Sequence, residues 1–147
     1  MVNRFVIFDI DGTLANVNHR FHHSRISCNC GLDFFPHGHT DDLDFSVYKY
    51  YEFFKLRGYK IYIFTSRNEK YRFQTEKWLN ENNIIVDKLE MRLKDDYRPS
   101  YIIKEEFLKK NFQNISDFVI QAVFESDESC IEMYKQNEIK KIYNYQV

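Results

Sequence analysis

The sequence has little of what marks membrane proteins, secreted proteins and proteins that bind duplex nucleic acid. It contains three cysteines, and no apolar run in it approaches the ~18 residues that a membrane-spanning helix needs. Lys and Arg total 21 against 22 acidic residues, which leaves a net charge of −1. We therefore expect reduced thiols, a cytoplasmic location and no membrane contact. The absence of a net positive charge argues against tight binding to double-stranded nucleic acid.

What the chain does contain is enough apolar surface for one core. Hydrophobic residues make up 44% of the 147 residues and aromatic residues 18%, with 14 Phe and 11 Tyr. A chain of this length supports one core but not two, and it shows no repeat or low-complexity segment. We predict a single domain over residues 1–147 with an aromatic-rich core.

Two acids follow the first apolar run of the chain. The run from Phe5 to Phe8 predicts a strand buried on both faces, and Asp9, Ile10, Asp11 and Gly12 follow it. Alternate side chains of an extended strand share a face, so the two carboxylates point the same way. They repel each other, and a hard divalent cation such as Mg²⁺ relieves that repulsion. The alternative is a polar strand end with an ordinary Asp-Gly turn.

Helical and strand patterns alternate along the rest of the chain. We predict helices over 44–57, 69–82, 100–111 and 127–136, and strands over 59–64, 118–124 and 139–143. Another strand falls at 84–86 or at 88–91, and we favour the second position. This order predicts an α/β fold, a Rossmann-like parallel sheet flanked by helices. Ligands bind such sheets at the carboxyl ends of strands, so the polar residues that end the first, second and fourth strands should form one site.

The segment from about residue 15 to residue 44 shows neither period and contains all five histidines. We predict that it is an insertion over the mouth of the site, because structureless segments of this length are uncommon. Cys28, Cys30, His37 and His39 could close a tetrahedral zinc site. A variable loop without metal explains the same residues, and we favour it.

The hexapeptide Asp9-Ile10-Asp11-Gly12-Thr13-Leu14 resembles the first motif of the haloacid dehalogenase (HAD) superfamily of phosphotransferases. The resemblance implies that Asp9 attacks phosphorus to form an aspartyl-phosphate, with Mg²⁺ bridging Asp9 and the phosphate, and that Asp11 acts as general acid and then as general base. Thr65 begins a stretch similar to the second motif, which holds the phosphoryl group. Lys104 has the position of the third, where an ammonium pairs with Asp9 and the phosphate. The segment 15–44 would then be a flap and a small cap.

Further features resemble the 3′-phosphatase domain of phage polynucleotide kinase and its short stand-alone relatives. They are Arg20, Ser66-Arg67, the segment from Met91-Arg92 through Asp96-Tyr97-Arg98-Pro99 to Lys104, and Ile131-Glu132-Met133-Tyr134. The resemblance implies that the substrate-binding residues are Arg20, Ser66, Arg67 and Arg98. It also implies that the metal ligands are drawn from Asp9, Asp11, Glu125 and Asp127.

Two positions depart from the pattern of these relatives. Ser100 stands where they have an Asp four residues before the lysine, and Asp95 or Asp96 could substitute for that acid. Glu125-Ser126-Asp127 replaces an adjacent pair of acids. Mg²⁺ demands near-ideal geometry, and either acid could complete its site.

We therefore predict a Mg²⁺-dependent phosphomonoester hydrolase whose substrate is a nucleic-acid end with a 3′-phosphate, or a nucleotide. One alternative is a nucleotidase or small-molecule phosphatase, which the near-neutral charge favours. Another is a catalytically weak binding module with the same fold, which the two departures favour. No stretch matches the Gly-rich lysine signature of a kinase P-loop, so we expect no 5′-kinase activity.

Overall fold

The structure, a computed structural model, describes residues 2–17 and 41–145. In chain order the strands and α-helices are β1 (Asn3–Phe8), β2 (Ala15–Asn16), β3 (Asp42–Leu43), α1 (Phe45–Leu56), β4 (Lys60–Asn68), α2 (Arg72–Glu81), β5 (Lys88–Arg92), α3 (Ser100–Phe112), β6 (Phe118–Phe124), α4 (Glu128–Gln136) and β7 (Ile142–Tyr143). A 3₁₀ turn, Glu69–Tyr71, joins β4 to α2.

Five strands form one parallel sheet in the order β5-β4-β1-β6-β7. The chain moves from β1 outward through β4 to β5 and then returns to the other side of β1 with β6. The strand order therefore reverses at β1, and the carboxyl ends of β4, β1 and β6 lie side by side. This confirms the predicted α/β class.

Helices cover both faces of the sheet, as the alternation of helices and strands predicts. Val6 and Phe8 of β1 face the layer that contains Tyr51 of α1 and Trp78 of α2. Phe5 and Ile7 face the opposite layer, which is formed by α3 and α4. The core is rich in aromatic side chains, and the rings of Phe8 and Phe124 stack with centroids 4.7 Å apart.

Most of the predicted element boundaries agree with the structure to within a few residues. The strand at 118–124 is confirmed in full, and the favoured strand at 88–91 is confirmed over the alternative at 84–86. The predicted strand at 139–143 is too long, because Glu138 adopts a positive φ of 66° and the Ile139 N–H donates back to Tyr134 O. The predicted strand at 59–64 is too short, because the sheet continues through Thr65 and Arg67, whose side chains are buried.

A short antiparallel pair closes the base of the predicted insertion. Ala15 pairs with Leu43 and Asn16 with Asp42, so the described ends of the 15–44 segment meet as a two-stranded stem. Arg20 and the Cys and His residues of the zinc hypothesis lie outside the described residues. None of the helices in the described ranges is long and apolar enough to cross a membrane.

The Tyr51 hydroxyl ties α1 to the segment between α2 and β5. It accepts a hydrogen bond from the Ile85 N–H at 2.8 Å and donates to Ile85 O at 3.3 Å. Tyr51→Phe leaves that N–H without this partner, so we expect the free energy of unfolding to fall by about 1–2 kcal/mol in urea denaturation. Tyr101→Phe is the control, since Tyr101 is 41% exposed on α3. Equal effects of the two substitutions would contradict this bracing role.

Candidate active site

A tight turn after β1 positions the first predicted catalytic acid. The Asp9 N–H donates to Phe124 O at 2.9 Å, and the chain then turns at Gly12, whose φ is +78°. That region is open to glycine at little cost. The turn brings the Thr13 hydroxyl within 3.3 Å of Asp9 Oδ2, to which it donates. Asp9 is therefore held at the carboxyl end of the central strand.

Lys104 bridges two carboxylates from different strands. Its Nζ lies 2.9 Å from Asp9 Oδ1 and 2.6 Å from Glu125 Oε2, and the residue is 2% exposed. Burial acts to lower the pKa of Lys104, but the charges of Asp9 and Glu125 outweigh it and raise that pKa. The ammonium therefore stays charged beside Asp9.

Burial and the neighbouring acids both raise the pKa of Asp9. Burial is the main cause that raises the pKa of this carboxyl, followed by the negative charge of Glu125, while Lys104 counteracts both. The charge of Asp11 raises it further. Asp9 therefore lies in a site that favours additional positive charge.

The two acids after β6 have separate roles. Glu125 Oε1 accepts from the backbone N–H groups of Ser126 at 3.0 Å and Asp127 at 3.1 Å, and its other oxygen meets Lys104. Asp127 caps α4, because its Oδ1 accepts from the N–H groups of Ser129 and Cys130. Of the two, Glu125 is the one that joins the Asp9 cluster.

Arg67 forms a second buried ion pair beside Asp9. Its Nε and Nη2 lie 3.0 Å and 2.8 Å from the two carboxylate oxygens of Asp11, which is a bidentate arrangement. Nη2 also donates to Asp41 Oδ2 at 3.1 Å, and Arg67 is 1% exposed. The structure thus directs this side chain, predicted to bind substrate, to the second acid of the first motif.

Asp41 is a site residue that the sequence reasoning missed. Its carboxylate receives Arg67, and its carbonyl oxygen accepts from Trp78 Nε1 at 2.8 Å. It immediately precedes β3 in the stem of the insertion. In sequence it is one acid among several near residue 41, and only its position next to the stem strand could have drawn attention to it.

The charges of this cluster fit a divalent cation. Four carboxylates (Asp9, Asp11, Asp41 and Glu125) interact with two cations, Arg67 and Lys104, which leaves an excess of two negative charges among the described residues. Oxygen donors are also the ligands that Mg²⁺ prefers. Within residues 2–17 and 41–145, however, no three His, Cys, Asp or Glu side chains already converge as a ligand group. The donor chemistry and the charge fit Mg²⁺, while the side chains are paired with Lys104 and Arg67.

Of the other predicted site residues, some contact this cluster and others contact residues outside it. Thr65 is fully buried at the end of β4, and its Oγ1 accepts from the Arg67 N–H at 3.1 Å. Ser66 donates to Ser100 Oγ at 2.7 Å. Arg98 pairs instead with Asp96 at 2.7 Å and with Glu106, and none of its described partners belongs to the Asp9 cluster.

Ser100 therefore has a different partner from the acid that the relatives place there. Its hydroxyl bonds Ser66, while Glu125 rather than Asp95 or Asp96 contacts Lys104. Asp96 is engaged by Arg98, which lowers the pKa of that carboxyl to about 2 through their hydrogen bonds. Among the described residues, Asp9 and Glu125 orient Lys104, and no acid from the loop before α3 contacts it.

Comparisons with solved structures define the class of this fold. A chain in a structure titled as the Pnkp1/Rnl/Hen1 RNA repair complex matches with a TM-score of 0.80 and 26% identity over 97% of the present chain, and a chain in a second Pnkp1/Rnl/Hen1 complex matches with 0.79 and 24% over 97%. The present chain covers 42% and 46% of those chains, less than half of their length. A haloacid dehalogenase-like hydrolase from Streptococcus pneumoniae matches at 0.64 with 11% identity, over 95% of this chain and 83% of the other. The fold is that of a HAD hydrolase.

A family model assigns the chain to a narrower group than the HAD hydrolases as a whole. The model of the polynucleotide kinase PNKP phosphatase domain matches residues 3–146. The chain belongs to this family, and the resemblance inferred from its motifs is confirmed. It is a HAD-family phosphatase, a hydrolase of phosphoric monoesters.

The different hydrogen bonds of Glu125 and Asp127 make a testable distinction. We expect Glu125→Gln to lower kcat by about 10- to 100-fold, because it removes a charge that orients Lys104 beside Asp9. Asp127→Asn should lower kcat less than Glu125→Gln does, since Asn caps helices as well as Asp and keeps an oxygen that can hold a water. Steady-state hydrolysis of a phosphomonoester measures both. A larger loss in Asp127→Asn than in Glu125→Gln would reverse the assignment.

Proposed function

We propose that this phosphatase removes the 3′-phosphate from a nucleic-acid end through an aspartyl-phosphate on Asp9, with Mg²⁺ as cofactor. One observation carries the reaction type. The buried carboxylate of Asp9 lies at the carboxyl end of the central strand with the Lys104 ammonium on one oxygen and the Thr13 hydroxyl on the other. This arrangement fixes the orientation of a nucleophile and provides a cation where the charge of a phosphoryl group develops.

The proposed reaction has two steps. A carboxylate oxygen of Asp9 attacks phosphorus and the ester P–O bond breaks. The leaving alcohol takes its proton from Asp11, which therefore has to enter this step as the neutral acid. Water then attacks the phosphorus of the aspartyl-phosphate and loses its proton to Asp11, which frees inorganic phosphate and restores Asp9. Lys104 offsets charge on the phosphoryl oxygens in both steps. Thr65 and Ser66 donate to those oxygens from the end of β4.

Arg67 serves Asp11 in this proposal. Its bidentate contact holds that carboxylate in one orientation, and Asp41 holds the guanidinium from the other side. An oriented carboxylate is prepared to deliver and take up a proton at a fixed position. Arg67 would meet the substrate phosphate only through this network, while Arg20 and Arg98 remain predicted substrate-binding residues.

The metal ligands that we propose are Asp9, Asp11 and Glu125, and Asp127 would act through water. When bound, Mg²⁺ would supply Lewis acidity at the phosphoryl oxygens. The carboxylate oxygens of these residues support the proposal, because they are the ligands that Mg²⁺ prefers.

The nucleic-acid substrate is supported by the family and by the relatives in RNA repair complexes, so an RNA 3′ end is the first substrate to test. We place this activity in the cytoplasm. The competing function is that of a nucleotidase or small-molecule phosphatase, which the net charge of −1 favours. The binding-module alternative is favoured by Ser100, which bonds Ser66 in place of an acid.

The central test compares a 3′-phosphorylated oligonucleotide with nucleoside 3′- and 5′-monophosphates in the presence of Mg²⁺. We expect kcat/KM to be highest for the oligonucleotide and to fall at least ~10³-fold in Asp9→Asn, because an amide cannot act as the nucleophile. Phosphate release measures both quantities. Turnover of mononucleotides alone would refute the 3′-end substrate, and equal rates for Asp9→Asn and wild type would refute the catalytic role.

Mg²⁺ should stabilise the wild-type protein against heat. A ligand at 100 times its Kd adds ~2.7 kcal/mol, which for a domain of this size raises Tm by roughly 5–10 °C. Asp9→Asn should lessen this Mg²⁺ effect, because it removes one of the proposed metal ligands. Calorimetry with MgCl₂ and with EDTA measures both shifts. An equal Mg²⁺ shift in the two proteins would place the ion elsewhere.

A further inference from the structure

An exposed aromatic ring lies on the loop that follows β5. Tyr97 is 80% exposed and Leu93 is 68% exposed. The loop residues 93–98 line an open cavity of about 630 Å³. Two large apolar side chains that share one exposed concave surface indicate a contact surface rather than a packing role.

The loop is held in one conformation although its tip is exposed. Arg92 donates from Nε to Ser66 O at 3.0 Å and from Nη1 to the carbonyl oxygens of Asp96 at 3.0 Å and Arg98 at 2.6 Å. Asn68 donates to Lys94 O at 3.0 Å. A surface that is already ordered loses little conformational entropy when a ligand binds it.

These hydrogen bonds also fix where the loop lies relative to the active site. Both residues that hold it, Ser66 and Asn68, belong to the end of β4 that carries Thr65. The strand β5 is two positions from β1 in the sheet, which at ~4.8 Å per strand places its carboxyl end roughly 10 Å from that of β1. The loop is therefore at the same edge of the sheet as Asp9. The side chain of Arg92 connects it to Ser66, a predicted substrate-binding residue.

We propose that Tyr97, with Leu93 beside it, stacks on a base of the single strand whose terminal phosphate lies at Asp9. This inference rests on the proposed function and specifies how a nucleic-acid end, rather than a small phosphate ester, is recognised. A ring face accepts any base, so the contact would be tolerant of sequence. A stacking contact is also compatible with the net charge of −1, because it does not require an excess of basic residues over the whole protein.

The charges of the loop sum to zero, since Lys94 and Arg98 are matched by Asp95 and Asp96, so they do not oppose a contact with a single strand. Lys94 is exposed next to Leu93 and can meet a phosphodiester of the same strand. Arg98 is paired with Asp96 and Glu106, so its charge is largely offset within the protein. The ring therefore carries the contact, with Lys94 as its electrostatic complement.

The test compares two 3′-phosphorylated oligonucleotides that differ only in whether the last two residues carry bases or are abasic. We expect Tyr97→Ala to lower kcat/KM for the complete oligonucleotide by about 5- to 100-fold, the range of base–aromatic stacking. With the abasic end the loss should be less than about 2-fold. Tyr97→Phe keeps the ring and should behave as wild type.

Two controls separate stacking from other effects. Glycerol phosphate has no ring, so its turnover should be the same in wild type and Tyr97→Ala. Phe53→Ala removes another exposed ring, 45% exposed near the end of α1, where the chain lies at the opposite edge of the sheet. It should leave turnover of both oligonucleotides unchanged.

Binding gives a readout that does not depend on catalysis. Fluorescence anisotropy of a labelled 3′-phosphorylated oligonucleotide should show a Kd about 5- to 100-fold weaker for Asp9→Asn with Tyr97→Ala than for Asp9→Asn alone. Equal Kd values, or equal losses with complete and abasic ends, would overturn the stacking proposal and leave the surface to a protein partner. Wild-type protein that hydrolyses none of these esters would contradict the proposed function separately from this result.

Discussion

The site depends on one buried cation between two buried carboxylates. Lys104 reaches from α3 to Asp9 at the end of β1 and to Glu125 at the end of β6, and all three residues are almost inaccessible to water. Such a group is stable only as a whole, because removing one partner of a buried ion pair costs about 3–5 kcal/mol through the charge left uncompensated. The packing of α3 on the sheet therefore cannot shift without disturbing Asp9, the proposed nucleophile.

The strand order makes this arrangement possible, and the second ion pair extends it. Because the order reverses at β1, the strand ends that carry Asp9, Glu125 and Arg67 are neighbours in space although they are far apart in the chain. Arg67 then connects Asp11 to Asp41, and so connects the turn after β1 to the stem of the insertion. Among residues 2–17 and 41–145, four carboxylates of the cluster meet two cations, and a reaction that requires added positive charge can exploit such an arrangement.

The fold and the position of Asp9 could be predicted from sequence because their signals are local. The run from Phe5 to Phe8 and the acids after it lie within seven residues, and this pattern predicts a buried strand that ends in carboxylates, while the proposed role of Asp9 as nucleophile came from the resemblance of the motif. Lys104 could be singled out only by its resemblance to a motif, since nothing local separates it from other helical lysines. Asp41 could not be found, because its role comes from a contact with Arg67 across 26 residues. Glu125 and Asp127 could not be distinguished, because the direction of each side chain is set by the start of α4.

The residues proposed to perform the chemistry and the surface proposed to select the substrate obey opposite constraints. Asp9 and Lys104 are paired and nearly inaccessible, and burial strengthens their electrostatic interaction and excludes water. A surface that recognises a polymer must remain open, and Tyr97 is exposed on a loop that accepts hydrogen bonds at the carbonyl oxygens of Lys94, Asp96 and Arg98. The backbone of Ser66 connects the two, because its carbonyl accepts from Arg92 beneath the loop while its neighbour Thr65 lies near the end of β4. In the proposed function, a change in the loop can therefore alter which esters reach Asp9 without altering the charge cluster proposed to cleave them.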